Sequence, residues 1–450
     1  MKCKFGLFII LILLSNIAMS QIKLYPNPQK GYEKRIKEYV NNIHVVDTHE
    51  HLRFQDSLRT WTSYDFMLLF IAYTSDDLVS AGMSREEYNS LINDSISVAD
   101  KWKKIEPYWN KTKNTAYSRN TLMIAKEIYG INDLNSSTVE LLSAKIKEAY
   151  KNPNWSSEVF DKAKIDYTIS DGFWIHGGGP WELKNDKIRF VTRFDEYLNL
   201  WSDELLNNLS KKAEYEIKTL TDLENALVKE FDWAVKKGVV GVKCGMAYLR
   251  PISFEEVSRE NAEKVFNELV KQGWSVNGKQ LNDYMMHKII KQAEKNNLPM
   301  IFHTGLQAGN GNIIENSKPT HLVNLLRLYP KVNFVFYHGG FPYGGELTAI
   351  VKNFPNAWLD LSWLYIISPT YAKNYLHEWL EAIPANKIMA FGGDASGAEA
   401  SYAHLVIAKQ VVSQVLIEKV QTGYLNEQEA KNIAKMIFYD NAVNFYKLKN

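Results

Sequence analysis

Cysteine is almost absent from this chain: 450 residues carry two, Cys3 and Cys244. The first falls inside an N-terminal stretch, 1–20, that has the marks of a secretory signal. Lys2 and Lys4 form a basic start, 5–14 is a short apolar run, and Ala18-Met19-Ser20 ends it in small residues. Cleavage there leaves Cys244 alone, so no intrachain disulfide can form even in an oxidising compartment. Stability must then come from the core. An excess of charge of one sign is also lacking. Lys and Arg number 53 against 51 Asp and Glu, a net +2, and loss of the two signal lysines gives +2 − 2 = 0. Neutrality removes the electrostatic case for nucleic acid or an anionic membrane as partner. Long hydrophobic runs are missing as well. The N-terminal run falls short of the roughly 18 residues that a membrane span needs. Because Cys3 precedes that run, a lipid-anchored cysteine is not expected. Repeats and low-complexity tracts are absent too. The expected product is the mature chain 21–450, secreted or periplasmic, free of membrane, and acting on a small molecule. A homo-oligomer is compatible with the sequence.

What is present is an ordinary globular composition, 46% hydrophobic and 23% charged, which can build a large core without staples. A helix is expected at 32–41. The β-branched run of "HVVDTH" follows it as a first strand. From 52 to 161 the chain is rich in aromatic and charged residues at helical spacing, as in "VADKWKKIEPYW", and reads as a helical insertion over the mouth of the fold. Seven further strands are expected at 167–170, 188–192, 239–243, 300–303, 333–338, 358–361 and 388–391. Several are unbroken apolar runs, as parallel strands buried on both faces should be. Helical patterns separate most of them, for example 223–237, 283–296 and 321–328. Eight strands with helices between them predict an α/β fold, a (β/α)8 TIM-like barrel; a doubly wound open sheet is the rival.

Six good metal ligands stand at or just past the ends of these strands: His49, His51, Lys243, His303, His338 and Asp394. In a closed parallel barrel all strands end on one face, where catalytic groups lie. Residues two apart on an extended segment point to one side, so His49 and His51 can share an ion. His303 and His338 each precede a glycine or a threonine–glycine pair, which leaves room above the strand. Either could instead be a core histidine bonded to a neighbour. Asp394 can bind metal through one oxygen and take a proton through the other, or merely cap the next helix. Lys243, in an apolar strand, must lose its charge, find a carboxylate or be modified. Carboxylation would make it a ligand bridging two ions, whereas a plain ammonium would pair with substrate or with Asp394. Arg53, Trp174, Tyr248 and Arg250 lie in segments expected at the mouth. An arginine there would suit a carboxylate-bearing substrate. Of the remaining histidines, His287, His321, His377 and His404 fit helices and read as structural or solvated.

This ordered set of HxH, strand-end lysine, two later histidines and a final aspartate resembles the amidohydrolase superfamily. The likeness is closest to its amidohydrolase-related (amidohydrolase 2) branch, including the amidohydrolase domain fused to glutamine-synthetase-like proteins. It is carried by "FHTG", "YHGGFPYGGEL", "NAWLDLSW" and "FGGDAS", within 238–401. The resemblance implies a metal-dependent enzyme in which His49, His51 and Asp394 hold the more buried ion, and Lys243, His303 and His338 a second where one is present. In single-ion branches His303 joins the first set and His338 contacts substrate or water. One or two divalent ions are therefore expected. Zinc suits the nitrogen and oxygen donors, and so do manganese and iron.

The expected activity is metal-dependent hydrolysis of an amide, ester or lactone, with Asp394 moving the proton and the metal, His338 or Lys243 polarising the carbonyl. A uronate-type isomerase or a decarboxylase on the same barrel is the alternative. A barrel that holds metal or ligand without catalysis is the third reading, and it would be marked by missing ligands.

Overall fold

The computed structural model describes residues 23–52, 63–171, 186–200, 202–272 and 277–448; the proposed signal at 1–20 lies outside them. Eight strands run in chain order around one parallel sheet: β1 (Val45–Glu50), β2 (Ile165–Asp171), β3 (Ile188–Arg193), β4 (Gly241–Cys244), β5 (Met300–Phe302), β6 (Phe334–Phe336), β7 (Ala357–Asp360) and β8 (Ile388–Met389). Each pairs with the next in parallel. The last seam closes past the end of β8. Thr48 N donates to Phe391 O at 3.0 Å, Asp394 N to His49 O at 2.8 Å and His51 N to Ala395 O at 3.0 Å. The sheet is a barrel, not the open sheet that was its rival.

The period-two alternation of strands sorts side chains between two cores. Val46, Ile169, Val191, Ile301, Val335 and Met389 form a cluster inside the barrel. Val45, Ile165, Val242, Phe302, Phe334 and Phe336 pack outward with the surrounding helices. Two residues beyond an inward-pointing position lies another one, nearer the carboxyl end. Ile169 leads in this way to Asp171, Val191 to Arg193 and Ile301 to His303. Gly241, whose absent Cβ would meet Ile301 and Val191 side chains, leads to Lys243.

Between β1 and β2 the described residues are largely helical and include Tyr73–Ser80, Val98–Thr112, Ala116–Glu127 and Val139–Ala149. They share a core of their own around Phe66, Phe70, Trp102 and Trp109. Outer helices start where caps allow. Leu220–Lys236 begins three residues before the expected 223, because Thr219 and Asp222 form a reciprocal capping box. The helix Lys279–Lys295 also begins ahead of the expected 283. The stretch expected as a helix at 321–328 opens as a 3-10 turn, Pro319–Leu322, and becomes α-helical at Val323–Leu328. The longest helix, Ala398–Gln421, is apolar enough to cross a membrane, but most of it is buried inside the protein.

Candidate metal centre

The carboxyl ends of the strands gather the predicted ligands into one buried cluster. His49 Nε2 and His51 Nε2 each lie 3.2 Å from the same oxygen, Asp394 Oδ1. Among the described residues, these three form a group able to hold a metal ion. Two donor atoms each about 2.1 Å from one tetrahedral ion are about 3.4 Å apart, so the spacing fits. Two buried atoms of these residues, His49 Nδ1 and Lys243 Nζ, have no hydrogen-bond partner. Unpaired buried polar atoms mark a site designed for something further.

His338 Nδ1 is 3.6 Å from the other aspartate oxygen, Oδ2. Its Nε2 meets His303 Nδ1 at 3.0 Å, and His303 Nε2 donates to Leu306 O at 2.8 Å. That donation makes His303 Nδ1 an acceptor and sets His338 Nε2 as the donor to it. Lys243 Nζ sits 3.9 Å over the ring of Tyr337, whose hydroxyl donates to Thr48 O at 2.8 Å. The structure therefore brings all six predicted ligands together.

Burial sets the charges. It pushes His49 down to about 4 and holds His303 and His338 well below the usual imidazole value, so all three are neutral and can act as ligands or hydrogen-bonding groups. Burial also lowers Lys243 to about 8, against the pull of nearby Asp171. For Asp394 burial acts upward, yet His49, His51 and His338 outweigh it and keep the carboxyl well below its ordinary range. Burial raises Asp47 to about 7 and Asp360 to about 6. Both brace the loops: Asp47 Oδ1 accepts from Gly393 N at 3.0 Å, and Asp360 Oδ2 accepts from Thr48 Oγ1 at 2.6 Å.

The loop bearing Asp394 is further tied to the helical region after β1. Tyr73 Oη donates to Asp394 O at 2.6 Å, and the Tyr73 ring stacks on Trp363 at 4.4 Å. Glu399, just beyond, accepts from Tyr129 Oη at 2.9 Å, Trp155 Nε1 at 2.7 Å and Tyr150 Oη at 3.1 Å.

Of the predicted substrate contacts, Tyr248 lines the cavity beside Lys243, His303 and Asp394. Arg250 does not, which corrects that expectation. Its guanidinium donates to Asp283 Oδ1 at 2.7 Å and to Ser253 O at 2.9 Å; a buried carboxylate holds it, and it is not among the residues lining the cavity. Arg53 and Trp174 lie outside the described residues. Sequence reasoning missed Asp171 and Arg193, which end β2 and β3 on the same face. Arg193 pairs with both oxygens of Asp171, and Asp171 Oδ2 lies 4.0 Å from His51 Nδ1. Both stand one residue past strands expected to stop at 170 and 192, and the rule that selected Lys243 and His303 would have selected them.

Comparison with known proteins agrees with this fold. Residues 219–448 match the family model described as Amidohydrolase; that stretch carries Lys243, His303, His338 and Asp394, while the paired imidazoles lie upstream of it. The chain is 26% identical over 223 residues to the Protein fluG of Emericella nidulans, covering 47% of this chain and 26% of that one. It thus spans about a quarter of that relative's length. Among solved structures, a uronate isomerase from Thermotoga maritima superposes with a TM-score of 0.77 at 18% identity, covering 94% of this chain and 98% of the other. A glucuronate isomerase from Caulobacter crescentus gives 0.75 at 16% identity, covering 94% and 96%. At these identities the likeness speaks for the barrel alone. The chain belongs to the amidohydrolase family of metal-dependent enzymes.

Proposed function

We propose that this protein is a metal-dependent hydrolase that cleaves an amide, ester or lactone bond in a small substrate bearing a carboxylate, with zinc as its ion. The observation that carries the reading is the division of labour within Asp394. One oxygen is 3.2 Å from both imidazoles of the HxH pair, and the other faces His338 at 3.6 Å. A divalent ion held by His49, His51 and Asp394 would supply acidified water near neutral pH and polarise a carbonyl. Asp394, kept ionised by its histidine neighbours, accepts the proton released as water attacks and returns it to the leaving group. Neutral His338 donates its one N–H to His303 and accepts from Ser362 Oγ at 3.2 Å, which fixes its ring beside Asp394, so the polarisation of the carbonyl falls to the ion and to Lys243. The unpaired Lys243 ammonium attracts a substrate carboxylate. The signal read at 1–20 supports action in the periplasm or outside the cell.

Turnover in water enriched in oxygen-18 tests the reaction class once a substrate is found by screening dipeptides, lactones and uronic acids. Label entering the product supports hydrolysis. Carbon dioxide released without label would make the protein a decarboxylase, and exchange of a substrate hydrogen with solvent would make it an isomerase. Asp394→Asn should retain part of the metal while losing at least about a hundredfold in kcat, the scale of a positioned general base. Near-normal turnover in that variant would remove Asp394 from the proton path.

A further inference from the structure

The residues lining the cavity above the metal cluster fall into two unlike sets. One carries Arg193, Asp195 and Glu196, and these are already engaged with protein. Arg193 is paired with Asp171 and stands 3.7 Å from Asp195, Asp195 Oδ2 accepts from Gly245 N at 2.9 Å, and Glu196 pairs with Lys212. The other is carbon: Leu205, Tyr248 and Leu249, with Ala72, Tyr73 and Ala308. Leu249 is 57% exposed and Tyr248 38%, although both belong to the same concave surface as His303 and Asp394. Large apolar side chains left open inside a cleft are the usual mark of a ligand surface. Tyr248 is also fixed in place. Its ring rests against His303 at 4.8 Å, and its hydroxyl accepts from Ala308 N at 3.1 Å. A rigid aromatic face can receive a flat or branched group at little entropic cost.

We infer that Leu205, Tyr248 and Leu249 form a subsite for an apolar substituent, aromatic or branched aliphatic, next to the scissile carbonyl. The substrate class is then an acyl compound with one apolar arm, rather than a polyhydroxylated sugar acid, whose hydroxyls would find no partners on these apolar side chains. The inference rests on the metal-centre reading above, and its test separates the two.

Zinc-loaded protein is titrated calorimetrically with acetohydroxamate, benzohydroxamate and glucuronate, first as wild type and then as Leu249→Ala and Leu205→Ala/Leu249→Ala. Hydroxamates chelate the ion, so their shared headgroup reports the metal site while the substituent reports the apolar side chains. Benzohydroxamate should bind at least tenfold tighter than acetohydroxamate. That ratio should fall at least threefold in Leu249→Ala and further in the double variant, which cancels any intrinsic difference in chelation. An unchanged ratio in the variants overturns the subsite and leaves the metal centre standing. Glucuronate binding more tightly than benzohydroxamate overturns the substrate class. Failure of both hydroxamates to bind protein of verified zinc content overturns the metal-centre reading itself.

Discussion

Three residues with side chains take left-handed backbone angles where β6, β7 and β8 give out: His338 at φ 67°, Trp363 at φ 63° and Asp394 at φ 51°. Such angles cost energy for any residue with a Cβ and persist only where surrounding contacts impose them. Asp394 is gripped on both sides of its peptide, by His49 O on its amide and by Tyr73 Oη on its carbonyl. Tyr73→Phe removes the second grip alone. It should lower stability by about 1 kcal/mol, the worth of one hydrogen bond, and cut kcat about tenfold while metal content by mass spectrometry stays unchanged. His404 offers a pH test on the same loop. It is fully buried, its Nδ1 donates to Gly393 O at 3.1 Å, and burial pushes it down to about 4. Between that value and the ordinary 6.5 the unfolded chain binds more protons than the folded one. The contribution of His404 to stability is therefore complete above pH 6.5 and drains away as pH falls towards 4, by on the order of 3 kcal/mol. Urea melts of wild type and His404→Asn across this window should show the wild-type margin shrinking with acid; a margin constant with pH would refute the assignment. At this scale the six candidate ligands that the structure gathers were legible in the sequence because each stands at or just past the end of an apolar run. Arg250 was misjudged because nothing local reveals that Asp283, on a different element, claims its guanidinium.

Strand ends place the site, and glycines let the loops above them crowd together. Gly305, two residues past His303, has φ +78° and would direct a Cβ to within 2.4 Å of Phe341 O. Backbone cannot yield there as a flexible side chain could. Gly305→Ala should therefore destabilise the protein by about 2 to 4 kcal/mol, combining strain with overpacking, as read from chemical denaturation of the metal-free chain. The strands themselves were readable because parallel strands are apolar on both faces, and every expected stretch contains or overlaps its observed strand. Helix starts were harder. Hydrophobic spacing locates the buried stripe of Leu220–Lys236, whereas Thr219 and Asp222 decide where the first turn forms, and they lie ahead of the stripe. His338, placed at its strand end by the sequence, does not enter the site by strand alternation. It follows the inward Tyr337 directly and reaches the cluster only because its backbone turns left-handed.

Across the whole molecule, the cluster straddles the seam between the first strand and the last. His49 and His51 come from β1 and its end, and Asp394 from the segment after β8; all the seam's backbone bonds given above flank them. A ligand that binds only the folded state stabilises it by mass action, by about 2.7 kcal/mol at a hundred times its dissociation constant. Removing metal with a chelator should accordingly lower Tm by several degrees, and restoring zinc should recover it. Asp394→Asn should show a smaller difference between the two states. A Tm indifferent to metal would mean that the cluster binds none in the native protein.

His49 and Asp394 are 394 − 49 = 345 positions apart, nearly the full span of the chain. Contacts of such long range form late, since the loop they close must first be ordered. Cation capture thus certifies a finished ring: a newly made chain can take up its ion only after its tail has found its head, so uptake could serve as a clock for maturation.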